Sequence, residues 1–505
     1  MPPAITNIFV LMLENRSFDH MLGFSGISGK DAETGQQTKI NGLTGKESNS
    51  YRGQTYQVLQ PADEAMPVDP GHEFIDVLEE LCGSTASYTP CGAYPPINNS
   101  GFVSDYAFSH TSDEGNAPGN YGEIMKCFSP IQLPVLNALA KSFAVCDNWH
   151  ASIPGPTWPN RLFALAASSA GLDHSPSSDE MFIWEAADGL AFPNGTIFDL
   201  LKKNFPSNPS RIYSGDNFPI AAALKGITLF DFYRYDQFAS DVAKTGYPWR
   251  YTWIEPNYGN MVSGTFRGGN SQHPLDGVTP GEKLIKDTYE AIRKSPHWDK
   301  SLLIVTWDEH GGFYDHAVPP DAVAPGDTQP NSKYNQYGFT FEKYGVRVPA
   351  VVVSPLIPAN VIDHRTYDHS SIPKTIETAF GLPPLTARDR EANSVLPLLS
   401  LSSARTDTPT ELPAPAVPAA VYTAQQVPAR HGDVDSGNLP GFVHVAMRHD
   451  LILSPPSQRA AILARVQSIQ TRAQAAQYIA EVEARVQAAR AAPYDTWQAQ
   501  VPPQG

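Results

Sequence analysis

Few cysteines, too little positive charge and no long apolar run set the first limits on this chain. Its four cysteines are Cys82, Cys91, Cys127 and Cys146. None stands in CxxC spacing, which argues against a structural zinc site. One or two disulfides and free buried thiols stay equally open. No apolar run approaches the ~20 residues that a membrane-crossing helix needs. Lys and Arg number 36 against 52 Asp and Glu, a net charge of −16. A general nucleic-acid binder wants a basic face, so that class is disfavoured. The same charge gives no attraction to anionic lipid, so any transient membrane contact must be local or metal-assisted. No basic segment followed by a separate apolar segment and cleavage site opens the chain. Met1-Pro2-Pro3-Ala4 runs almost straight into an expected strand. The expectation is a chain not exported by the usual route, or one whose leader has been removed. Internal repeats, a Walker pattern and a GxGxxG after a strand are also missing.

What is present is globular. The chain has 505 residues, 41% of them hydrophobic, and 46 prolines. That length suggests one large α/β domain or roughly two to four domains, and the prolines suggest long ordered loops that carry a site. Residues 5–13, unbroken in apolar side chains from Ile8, read as a buried parallel strand, followed by a short helix after Ser17. Residues 23–70 read as an excursion without regular structure. Helices are expected at 72–82, 131–144, 162–167, 281–294 and 372–380. Further strands are expected at 143–146, 302–307 and 347–354. Alternating strands and helices predict a doubly wound, mostly parallel α/β sheet with helices on both faces. The organisation expected is a catalytic domain at 1–400, a linker rich in Pro, Thr and Ala at 401–440, and a helical extension at 441–495. Within it, residues 457–492 read as one helix with Ile462, Val466, Ile469, Ala473, Ala476, Ile479, Val482 and Val486 along one stripe, a surface for packing or for an oligomer contact.

The chemistry should lie where buried strands end. Two strands finish in polar pairs, Glu14-Asn15 and Asp308-Glu309. Ligands of open α/β sheets bind at the carboxyl ends of strands. If the two tips adjoin, three carboxylates and an amide form an oxygen cage suited to a divalent cation; oxygen ligands favour Ca, Mg or Mn. Thr157, after Pro154-Gly155-Pro156, sits just outside an expected helix whose N–H groups suit a phosphate. Its hydroxyl is a nucleophile only when a metal or base takes its proton, and it reads equally as a plain N-cap. Asn160 is a candidate donor to a phosphoryl oxygen, and Arg161, a turn further on, could hold an oxyanion. Gly311-Gly312 would let the backbone approach a ligand. His72, His273, His310 and His369 are candidate acids or phosphate donors if they converge on the tips. The aromatics Tyr213, Phe232, Tyr233, Trp249, Tyr251 and Trp253 read as core, or as the lining of an apolar funnel.

Six motifs in sequence order then carry a resemblance. They are Glu14-Asn15-Arg16-Ser17-Phe18-Asp19-His20, Asp69-Pro70-Gly71-His72, residues 154–161 with Thr157, His273-Pro274, residues 306–316 with Asp308-Glu309-His310, and His369-Ser370-Ser371-Ile372-Pro373. Together they resemble the phosphoesterase family of bacterial phospholipases C, plant non-specific phospholipases C and certain bacterial acid phosphatases. The resemblance runs from about residue 5 to 385. It implies an alkaline-phosphatase-like core with Glu14, Asn15, Asp308 and Glu309 on a divalent metal ion. Thr157 would be ligand and nucleophile and form a phosphothreonine, while His72 and His273 would contact the phosphoryl group or the leaving oxygen. His310 and His369 would add phosphate contacts or support the ligands from behind. A threonine cannot become the formylglycine of sulfatases, so sulfate esters are disfavoured. Acid phosphatases of the family carry serine and paired aspartates, so Thr157 with Asp308-Glu309 is closer to the phospholipase side. The substrates implied are phospholipids or, alternatively, soluble phosphomonoesters; a non-catalytic phosphate- or lipid-binding protein is the rival of another class.

Overall fold

The structure is a computed structural model and describes residues 4–108, 119–186, 188–205, 207, 209–261, 266–329, 332–417 and 437–491. Residues 418–436, part of the expected linker, and 492–495, the end of the expected extension, lie outside the described residues.

A ten-stranded sheet forms the centre. From one edge to the other its strands are Gln37–Lys39, Ser28–Asp31, Val361–Asp363, Ala144–Cys146, Ala350–Val353, Ser301–Trp307, Asn7–Leu13, Tyr251–Glu255, Ser210–Ser214 and Phe232–Arg234. Neighbours run parallel, except that Ala350–Val353 is antiparallel to both its neighbours and Gln37–Lys39 to its one. The sheet is therefore the doubly wound, mostly parallel one expected. Every residue of Asn7–Leu13 and Ser301–Trp307 is buried. Burial at each position needs cover on both faces, which is why these strands read as unbroken apolar runs. Each Leu, Ile or Val buried there is worth about 1.5–3 kcal/mol. Helices Pro134–Ser142 and Thr279–Arg293 pack together on the sheet, while Thr157–Ala166, Ile197–Asn204 and Ser371–Phe380 form a second group.

The register of the two central strands decides where the chemistry can sit. Leu13 pairs with Trp307, so the next residues, Glu14 and Asp308, leave the sheet side by side.

Several expectations need correction. Residues 23–70 hold four short strands, Ser28–Asp31, Gln37–Lys39, Ser48–Tyr51 and Gln54–Gln57. They are polar, exposed edge hairpins with too few apolar residues to give an alternation. The helix expected from 131 starts at Pro134, where proline suits the first turn. The expected single helix at 457–492 is two, Arg459–Gln467 and Arg472–Ala491. Ala475, Tyr478, Ile479, Val482 and Val486 are buried on the latter, whereas Ala473 is exposed. The stripe faces the chain's own Leu439–Ile452 helix. That helix reaches the core: Phe442 packs edge-on against Trp158 and at a tilt against Tyr258. Tyr213, Phe232, Tyr251 and Trp253 are buried core side chains rather than a funnel, and Tyr233 and Trp249 stack on Arg211. All four cysteines are free thiols. Among the described residues no helix is long and apolar enough to cross a membrane.

Candidate active site

The two strand tips converge because the chain bends sharply at the first. Asn15 adopts φ 57°, a left-handed conformation that asparagine tolerates better than most residues. Its N–H donates to Asp308 Oδ1 at 3.0 Å, and the N–H of Arg16 donates to the carbonyl of Glu309 at 2.9 Å. Glu14, Asn15, Thr157, Asp308 and Glu309 are all fully buried, at 0% exposure. Thr157 Oγ1 donates to Asn15 Oδ1 at 3.4 Å. Gly311 takes φ 64°, and a Cβ there would come within 2.3 Å of the Asn15 carbonyl; one at Gly312 would meet the Gly71 carbonyl at 2.6 Å. The glycine pair thus admits neighbouring backbone, which corrects the expectation that it clears room for a ligand.

Thr157 is the first residue of Thr157–Ala166, capped by Pro156, and not the N-cap expected. Proline cannot cap with a side-chain oxygen, so the turn before the helix is braced from elsewhere. Asn160 does this. Its amide donates to the carbonyls of Gly155 at 2.9 Å and Pro156 at 3.0 Å, and its oxygen accepts from Ile153 N–H at 3.0 Å. Both amide hydrogens face backbone, which corrects the phosphoryl-donor role expected for Asn160. Arg161 also points backwards. Nε donates to Asp308 Oδ2 at 2.8 Å and Nη2 to the Leu13 carbonyl at 2.8 Å. Tyr258 lies over the guanidinium at 5.3 Å. Arg161 therefore neutralises Asp308 from behind through Nε and Nη2, while its Nη1 is buried with no hydrogen-bond partner.

The charge balance is uneven. Burial, and then the neighbouring Asp308, push the Glu14 carboxyl up, against the pull of Arg161. Burial likewise raises Asp308 despite Arg161. Neither carboxylate oxygen of Glu14 nor Oε1 of Glu309 has a hydrogen-bond partner. Unpartnered buried carboxylate oxygens are costly. Three such atoms on an oxygen-only donor set fit a divalent cation. A different group, Asp19, Asp315 and His316, has ligand atoms within 4.8 Å of one another. Arg347 already fills it, at 2.9 Å from Asp315 and 3.0 Å from Asp19, so that group needs no ion.

The four candidate histidines all gather around the tips. His72 is half-buried, with Nδ1 at 3.0 Å from the Pro70 carbonyl. Burial pulls its pKa down, but Glu309, Asp69 and Glu73 outweigh that and bring it to about 9. His273 stacks on Phe266 at 3.5 Å and faces Asp69 at 3.8 Å. Its Nδ1 accepts from Leu275 N–H at 3.4 Å, which puts the ring proton on Nε2. His310 bridges Glu80, at 2.6 Å, and Glu309, at 3.4 Å. Burial would lower it, yet the pair of carboxylates carries it to about 10. His369 Nε2 lies 2.5 Å from the Asp308 carbonyl, and burial lowers its pKa to about 4. His310 and His369 thus hold the backbone and carboxylates of the tip. Asp69, Glu80 and Ser271 belong to the site without having been singled out: Ser271 accepts from Glu14 N–H at 2.9 Å. Asp69 was visible in its motif; nothing local links Glu80 to His310, 230 positions away.

Buried carboxylates and a threonine hydroxyl at a helix N-terminus thus meet on the carboxyl edge of a parallel sheet, where α/β enzymes bind their ligands. Residues 5–383 match the profile of the Phosphoesterase family. The chain is 37% identical over 433 residues to non-specific phospholipase C6 of Arabidopsis thaliana, covering 81% of this chain and 75% of that protein. It is 28% identical over 415 residues to phospholipase C B of Mycobacterium tuberculosis strain H37Rv, covering 75% and 74%. Among solved structures, a protein in the alkaline phosphatase superfamily from Vibrio parahaemolyticus is similar at 15% identity, with a TM-score of 0.31, over 52% of this chain and 64% of that one. The chain belongs to the Phosphoesterase family and is a phosphoric ester hydrolase.

Proposed function

We propose that the enzyme is a phospholipase C that cleaves phospholipids to diacylglycerol and a phosphorylated head group through a phosphothreonine on Thr157. The observation that carries this reading is the meeting of the Thr157 hydroxyl with Asn15, beside three buried carboxylates whose oxygens stand partly unpartnered. The phospholipase side is supported by the relatives, which are phospholipases C by name.

Glu14, Asn15, Asp308, Glu309 and Thr157 would hold a divalent cation. When bound, such an ion lowers the pKa of a coordinated hydroxyl and offsets charge on phosphoryl oxygens. Thr157 Oγ1, its proton released to solvent, attacks phosphorus as the bond to the departing oxygen breaks. His72, which faces Asp69 and Glu73 as well as Glu309, gives that oxygen its proton. The Nε2–H of His273 donates a hydrogen bond to the phosphoryl group. Water then cleaves the phosphothreonine. Arg161 positions Asp308 through Nε, and Asn160 positions the turn before Thr157.

The test is incubation with phosphatidylcholine and, separately, p-nitrophenyl phosphate, with and without chelator and with T157A as control. Diacylglycerol formation that chelator abolishes, and that falls about 10³-fold or more in T157A, is expected. Nitrophenol without diacylglycerol would replace the reading with a soluble acid phosphatase.

A further inference from the structure

We infer that Arg16 is a positioning residue for His273, its guanidinium holding the loop that aims the His273 imidazole at the phosphoryl group. This rests on the role just given to His273. Arg16 is fully buried, two residues beyond Glu14. Nε donates to the Gln272 carbonyl at 2.8 Å, and Nη2 donates to the carbonyls of His273 at 3.3 Å and Asp276 at 3.4 Å. Nη1 lies 3.1 Å from His20 Nε2, and the guanidinium sits 4.8 Å from the ring centroid of Phe313. One side chain thus ties the first strand tip to the His273 loop and to the segment after Glu309.

The loop needs such a tie. Gln272, directly before His273, has φ 74°, a conformation costly for a residue with a Cβ. Four contacts hold it there: Arg16 on its carbonyl, Trp307 Nε1 on its side-chain oxygen at 2.9 Å, its own side-chain amide on the Val278 carbonyl at 2.8 Å, and Glu14 N–H on the Ser271 carbonyl at 2.9 Å. Leu275 N–H then meets Nδ1 of His273 and Phe266 stacks on its ring, so backbone conformation and ring direction are fixed together. Lysine has no planar fork to span three carbonyls, so R16K removes the tie while keeping the charge.

The experiment is a pair of double-mutant cycles in the full-length, metal-supplied enzyme, with kcat and KM read on p-nitrophenyl phosphocholine. R16K is expected to lower kcat about tenfold or more with KM within about twofold, as for loss of a transition-state contact. In an H273A background R16K should add nothing further, whereas with H72A its effect should multiply. Multiplication in both backgrounds, or a matched rise in KM, would overturn the role of Arg16. An unaltered kcat in H273A would overturn it too, and would remove His273 from the mechanism while leaving Thr157 standing. Retained turnover in T157A would sink the nucleophile reading by itself. If R16K fails to fold by thermal unfolding, W307F, which loosens Gln272 from its other side, must give the same His273-specific coupling or the inference fails.

Discussion

At the scale of single residues, the site separates groups that face the reaction from groups that hold them. On the mechanism proposed, Thr157 and His72 present a hydroxyl and a proton, whereas Asn160 spends its amide hydrogens on backbone and Arg161 gives Nε to Asp308 and Nη2 to backbone. Sequence pattern located all of these residues, because strand ends and a Pro-Gly-Pro turn mark the places where an α/β sheet can expose chemistry. It did not tell the facing groups from the bracing ones. Direction depends on the φ of Asn15 and on Pro156 serving as cap, and neither leaves a periodic signature. Asn160 supplies the sharpest check at this scale. N160A leaves the Ile153 N–H and two carbonyls without their partner in a dry turn, so it should cost about 2–4 kcal/mol by urea unfolding. A variant as stable as the parent would show that the turn before Thr157 is braced by something else.

At the scale of elements, the two buried strands were legible because a strand covered on both faces has no polar alternation to hide. The edge hairpins at 28–39 and 48–57 were not, since solvent covers them and their residues follow no pattern of burial. Two junctions between elements give further predictions. His174 joins Asp173, at 3.1 Å, to Glu180, at 3.0 Å, and so ties a loop to the helix Ser178–Ala186. Burial opposes its charge, but the two carboxylates raise its pKa from 6.5 to about 9. A histidine raised in the folded state adds stability that is complete below its unfolded pKa and lost as pH climbs through the folded one. H174Q should therefore destabilise by about 1–3 kcal/mol at pH 6. Its difference from the parent should shrink by pH 9–10; an equal difference at both pH values would refute the charged pairing. Gly441, in Leu439–Ile452, has no room for a side chain: a Cβ would lie 2.0 Å from Trp158 Cζ2. G441V should cost about 1–3 kcal/mol or more through overpacking. It should also lower turnover, because Trp158 directly follows Thr157. Parent-like activity with lowered stability would confine that contact to packing.

At the scale of the whole molecule, 505 residues are arranged so that the tips of Asn7–Leu13 and Ser301–Trp307, almost 300 positions apart in sequence, share one register step. Everything else converges on that step. The Thr157–Ala166 helix brings the hydroxyl, the loops at 69–72 and 271–276 bring histidines, and the C-terminal helix Leu439–Ile452 packs behind Trp158 and Tyr258. That last connection was not foreseen from sequence, because Leu439–Ile452 falls at the start of the expected extension and outside the apolar stripe read at 457–492, so nothing in the pattern says what it packs on. The central claim is that this convergence serves covalent phosphoryl transfer to Thr157. It is tested most directly by quenching the enzyme in acid during turnover of phosphatidylcholine carrying a labelled phosphate, then mapping the label by mass spectrometry. The account predicts a labelled phosphorylated head group bound to Thr157 and none on T157A. Label on another residue, or turnover without any labelled enzyme in both the parent and a slowed H72A variant, would contradict it.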